Sequence, residues 1–133
     1  MRIDDIISGL LSRGCSLRPP ARETDIALLV KRLKGRVSPD LLELYRRFDG
    51  LCGHDKYSLI SLWPISEIEE FEPEYNLEDG YFAFSDAVFN AQVFTCSSEN
   101  TSLPVIQLAS VDIIAPSLPE FFSTMIKGGF DMR

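Results

Sequence analysis

Apolar residues at Ile3, Ile6, Ile7, Leu10 and Leu11 recur at the spacing that lines one face of a helix. The pattern stops near Gly14, and Pro19-Pro20 then breaks the chain, because proline pushes the residue before it out of helical geometry. A second helix is expected from Thr24 as N-cap to Lys34, with Ile26, Leu29, Val30 and Leu33 turned inward. Gly35 suits the position after its end, and Lys31, Arg32 and Lys34 complement the negative pole of the helix dipole. A third helix opens with Ser38 as N-cap, Pro39 in the first turn and Asp40 at the positive pole. Its stripe is Leu41, Leu44, Tyr45 and Phe48, and Asp49-Gly50 turns the chain.

Beyond Gly50 the period shortens to that of strands. Tyr57–Trp63 reads as a strand closed by Pro64, and Ser66…Glu69 as a capping box opening a short acidic helix anchored by Ile68 and Phe71. Further strands are expected at Tyr81–Ser85, Gln92–Cys96 and Val105–Leu108, with a weaker one at Val111–Ala115. The turns between them hold Asn90, Ser97-Ser98-Glu99-Asn100 and Pro104. A second capping box, Ser117…Glu120, starts a closing helix that presents Leu118, Phe121, Phe122, Met125 and Ile126 before Gly128-Gly129. Helices, then strands, then one helix predict an α+β fold: N-terminal helices, a central and mostly antiparallel sheet, and a C-terminal helix packed on that sheet.

Composition narrows the setting. A chain of 133 residues fits one domain spanning 1–133, and it buries enough surface for a single core without disulfides or metal. Cys15, Cys52 and Cys96 are odd in number and widely spaced, which suits reduced thiols in a cytoplasmic protein. The start lacks the unbroken apolar stretch of a signal peptide, and no run is long enough for a bilayer, so no membrane association is expected. The net charge of −7 disfavours nucleic acid as a partner. That charge is split, with +3 over residues 1–50 and −10 over residues 51–133. A patch of one sign steers oppositely charged partners.

Candidate chemistry is sparse. His54 is the only histidine, and on a strand it would share a face with Cys52. The pair reads either as part of a dyad or metal site, or more plainly as a polar loop histidine beside a semi-buried cysteine. A metal site needs three or four ligands, and no second Cys/His cluster supplies them. No Gly-x-Ser-x-Gly elbow supports a nucleophilic serine. Neither catalytic, cofactor-binding nor metal-ligating residues are therefore assigned. The run Glu67, Glu69, Glu70, Glu72, Glu74, Glu78 and Asp79 contains no Lys or Arg and lacks the spacing of a calcium loop. Its plain reading is a solvated face. The alternatives are a partner-binding surface, since Tyr75 and Phe71 interleave the acids, and metal or acid/base chemistry by paired carboxylates. Trp63 reads as core or core edge, with an interface anchor as its alternative, and Phe82, Phe84, Phe89 and Phe94 read as core.

Four segments resemble the SUKH superfamily, the domain of yeast cell-wall assembly regulators and of many bacterial immunity proteins. They are Gly35-Arg36-Val37-Ser38-Pro39-Asp40-Leu41, Leu44-Tyr45-Arg46-Arg47-Phe48-Asp49-Gly50, Leu62-Trp63-Pro64-Ile65-Ser66-Glu67-Ile68 and Phe84-Ser85-Asp86. The resemblance spans Ala21 to Gly128. Val37 replaces the usual leucine, and Ala87–Asn90 lacks the usual glycine, which leaves Asn90 to take any left-handed turn position. The resemblance implies a protein-binding domain that is not an enzyme: an immunity protein that neutralises a toxin, often a nuclease, by direct contact. Its alternative is a regulatory or scaffold domain. A basic toxin would suit the acidic second part of the chain, and its contact residues would be Glu67, Glu69, Glu70, Glu72, Glu74, Tyr75, Glu78 and Asp79. The oligomeric state stays open.

Overall fold

Three amphipathic helices lead the chain in a computed structural model that describes residues 2–70, 81–89, 92–97, 102–107 and 112–132. They are α1 (Ile3–Ser12), α2 (Glu23–Arg32) and α3 (Pro39–Arg47). Ile6 and Leu10 of α1, Ile26 and Leu29 of α2, and Leu41, Leu44 and Tyr45 of α3 are buried. Leu11 departs from the expected stripe, being 54% exposed on the outer side of α1. α2 begins earlier than expected. Arg22, extended and accepting the Ile26 amide, takes the cap position, so Thr24 falls inside the first turn. Glu23 and Asp25 there face the positive pole.

The sheet is antiparallel throughout the described residues, in the order β1-β3-β4-β5-β6, with β2 also paired to β3. The strands are β1 (Ile60–Leu62), β2 (Glu69–Glu70), β3 (Tyr81–Ala87), β4 (Gln92–Ser97), β5 (Val105–Gln107) and β6 (Ile113–Ala115). β1 and β2 lie along the same strand, opposite Ser85–Ala87 and Phe82–Ala83 respectively. The α4 helix (Leu118–Ile126) closes the fold, capped by Ser117 Oγ, which accepts the Glu120 amide at 3.3 Å. Phe121 of α4 is fully buried and meets Phe84 and Phe94 of the sheet edge to face, at 5.3 and 5.7 Å between ring centroids. The architecture is α+β, with helices at the N-terminus and one on the sheet at the C-terminus.

Two β-region expectations need correction. Tyr57–Trp63 is strand only over Ile60–Leu62, because Lys56–Ser58 form a turn that leaves Tyr57 46% exposed. The acidic helix from Ser66 is, where described, a single 3-10 turn over Ile65–Glu67 that gives way to β2. Burial of Ile68 in an extended conformation and pairing with β3 capture the chain before a helix can continue. Phe71 and Asn90 lie outside the described residues, as do Leu108 and Val111 at two expected strand ends.

The first and last helices are joined by close packing and charge. At Gly9 of α1 a Cβ would stand 2.6 Å from the Ile126 side chain, so only glycine lets α4 approach this closely. Just beyond α1, Arg13 Nη2 contacts Asp55 Oδ2 at 2.6 Å and Asp131 Oδ1 at 2.5 Å. Asp55 is buried, and its Oδ2 also accepts the Ser58 hydroxyl at 2.6 Å and the Ser58 amide at 3.2 Å. Burial works against the Asp55 charge, but the bonds from Arg13 and Ser58 and the Arg13 charge outweigh it and hold the carboxyl below its ordinary value. The neighbouring Cys15 thiol is pushed up to about 11 by burial first and the Asp55 charge second.

Candidate functional site

Gly50 organises the site from a distance. Its φ of +81° suits glycine, and an added Cβ would lie 2.5 Å from the Leu62 carbonyl oxygen. The backbone of the Asp49-Gly50 turn thus lies directly against Leu62-Trp63-Pro64. The Leu51 amide donates to the Leu62 carbonyl at 2.9 Å, and Asp49 Oδ1 accepts the Ile65 amide at 2.8 Å. From the other side the Trp63 amide donates to the Phe84 carbonyl at 2.9 Å, and the Tyr45 hydroxyl donates to the Trp63 carbonyl at 3.3 Å. Three of the four segments that carry the family resemblance therefore meet at one place.

The indole so fixed lines an open cleft of about 570 Å³ together with Gly53, His54, Leu59, Ser61, Ser66, Glu67, Asp86 and Phe89. Ser61 and Asp86 are register partners on β1 and β3, so their side chains share a face. Asp86 is only 7% exposed, and its Oδ1 accepts Trp63 Nε1 at 2.6 Å and the Ser61 hydroxyl. Ser85 is tied in by its hydroxyl, which donates to the Ser61 carbonyl at 2.6 Å. These bonds satisfy the indole N–H and hold the ring at the core edge, half-buried, with part of it on the cleft wall.

Phe89 overturns its expected core role, being 74% exposed with its ring edge-on to His54 at 5.1 Å. The cause is the β3–β4 turn, where Val88 and Phe89 both take left-handed geometry, at φ 55° and 54°. The turn directs Phe89 away from the packed face, and Asn90, for which a left-handed position is expected, lies outside the described residues. Leu59, also on the cleft, has φ 60°. Left-handed backbone is costly for side chains of this size and recurs at ligand clamps.

Of the expected partner-binding residues, Glu67 is exposed and lines the cleft. Glu69 and Glu70 follow it on β2, at the side of the sheet where β1 lies, with side chains outside the described residues. Glu72, Glu74, Tyr75, Glu78 and Asp79 lie outside them altogether. Cys52 and His54 are both exposed. Among the described residues no three His, Cys, Asp or Glu side chains gather to hold a metal ion, and no helix is long and apolar enough to cross a membrane.

Sequence reasoning did not join Ser61, Trp63, Asp86 and Phe89 into one site. The Phe84-Ser85-Asp86 and Trp63-Pro64 segments were visible as motifs, but their adjacency depends on strand register. No family model matches this chain, and no curated protein matches it.

Proposed function

We propose that the chain is a non-catalytic protein-binding domain, a bacterial immunity protein that neutralises a basic toxin of the nuclease kind by direct contact. One observation carries the reading. Residues 57–126, which include all the strands described, hold eleven Asp and Glu and no Lys or Arg. Among the described residues the exposed cations Arg22, Lys31, Arg32, Lys34, Arg46 and Arg47 lie on or beside α2 and α3, and Arg2, Lys56 and Lys127 are exposed elsewhere, also outside that stretch. Nucleases present basic clefts to phosphate, so an acidic stretch speeds their capture and can occupy the place of the substrate.

The test is to titrate the purified domain into a basic nuclease domain encoded beside it, following heat and residual cleavage. One-to-one binding that abolishes cleavage, with association slowing as salt rises, supports the reading. Reversing Glu69, Glu70, Glu72 and Glu74 to lysine should slow association about ten-fold or more. Full nuclease activity at saturating domain overturns the toxin reading. Unchanged kinetics in the reversed variant removes the surface assigned to it.

A further inference from the structure

We infer that Phe89 is the apolar anchor on which the basic partner protein seats, over the lip that Phe89 and His54 form at the cleft. The inference rests on the protein-binding reading above and names the contact surface. Among the described residues Phe89 is the most exposed large apolar side chain, at 74%. The fold holds it there firmly. The Val88 amide donates to the Leu59 carbonyl at 3.2 Å, the Val88 side chain packs against the core, and the His54 ring meets Phe89 edge to face at 5.1 Å. Left-handed backbone at Leu59, Val88 and Phe89 works against stability, and glycine would relieve it. Phe89 and His54 are both exposed, so the ring returns little burial for that strain. Aromatic side chains held outward in advance carry much of the energy of protein interfaces, because they bury large apolar area with little ordering left to do. Trp63 continues the aromatic surface on the cleft wall.

Charge selects the occupant. Glu67 is exposed on the cleft, and none of the lining residues is Lys or Arg. An anionic membrane is repelled by such a rim, and a second copy brings its own net charge of −7 against it. A basic protein is attracted. Its apolar pocket removes Phe89 from water while its cations face Glu67.

The test uses the nuclease domain encoded beside this chain, with association and dissociation followed separately. Phe89→Ala should bind about thirty-fold more weakly, mostly through faster dissociation, whereas Glu67→Lys should slow association about five-fold in a salt-dependent way. Phe89→Gly separates binding from folding. It should bind as weakly as Phe89→Ala yet unfold at the temperature of wild type or above it, since glycine suits the left-handed position. Ile113→Ala, at an exposed apolar position on the opposite edge of the sheet from β1, should leave binding unchanged. Undiminished binding by the Phe89 variants, an equal loss in Ile113→Ala, or a lower unfolding temperature for Phe89→Gly overturns the anchor and leaves the protein-binding reading standing. A dimer of the domain alone that Phe89→Ala disperses gives the surface to a second copy and overturns the basic partner. A wild-type domain that binds no nuclease takes down this inference together with the reading it rests on.

Discussion

At Gly50, replacing one hydrogen with a methyl group acts on two segments at once. Gly50→Ala must carry a Cβ in left-handed geometry and drive it against the Leu62 carbonyl and the Trp63 backbone, which cannot retreat as a flexible side chain would. A loss of about 3 kcal/mol in urea unfolding is expected, with a shift in Trp63 emission. Asp55 tests the charge buried at the other end of the same loop. Asp55→Asn leaves Arg13 short of one carboxylate and should cost about 3 kcal/mol. The sign with pH follows from the depressed carboxyl. Its contribution is complete above the unfolded value of about 4, fades as pH falls through the lower folded value, and is absent from Asp55→Asn. Wild type and variant should therefore converge in stability on acidification. The Asp49-Gly50 stop was legible because a turn is a local event. Its docking on Leu62–Ile65 was not, because nothing local encodes which backbone a glycine will touch.

Two identical signals at the level of elements had different outcomes. Ser66…Glu69 and Ser117…Glu120 are both capping boxes in sequence, yet only the second starts a helix. After Ser117 the apolar positions Leu118, Phe121, Phe122 and Met125 keep helical spacing, and all four are buried. After Ser66 the chain must bury Ile68 and then pair with β3, and those tertiary demands outweigh a cap of about 1 kcal/mol. Ser117→Ala should accordingly cost about 1 kcal/mol in thermal unfolding, while Ser66→Ala stays within about 0.5 kcal/mol of wild type. The same distinction explains Phe89. Its neighbours Phe82, Phe84 and Phe94 are buried, but a turn placed after Ala87 sends it outward, and turn geometry without glycine leaves little trace in a sequence.

The charge of the whole molecule is divided along the chain, since residues 57–126 hold no Lys or Arg whereas residues 1–50 hold ten. That division, and the order of helices and strands, could be read from composition and periodicity. The cleft could not, because it gathers residues from Gly53 to Phe89 through a register that only the folded sheet defines. Thiol chemistry offers a check on the packing as a whole. Cys52 is exposed, whereas Cys15 and Cys96 are buried with thiols pushed up by that burial. A disulfide-exchange reagent should titrate one thiol rapidly in the native protein and the other two only in denaturant.

The bond from Arg13 to Asp131 also orders events in time. The two residues are 118 positions apart, so a ribosome releases the arginine long before the acid that completes its pairing. Asp55 can engage Arg13 early in synthesis, but the second carboxylate arrives only after the last strand and α4 have been translated. Until Asp131 emerges, Arg13 is held by Asp55 alone, and α1 and α4 lack this tie. Chains that stall before Asp131 lack this closure between the α1 and α4 ends.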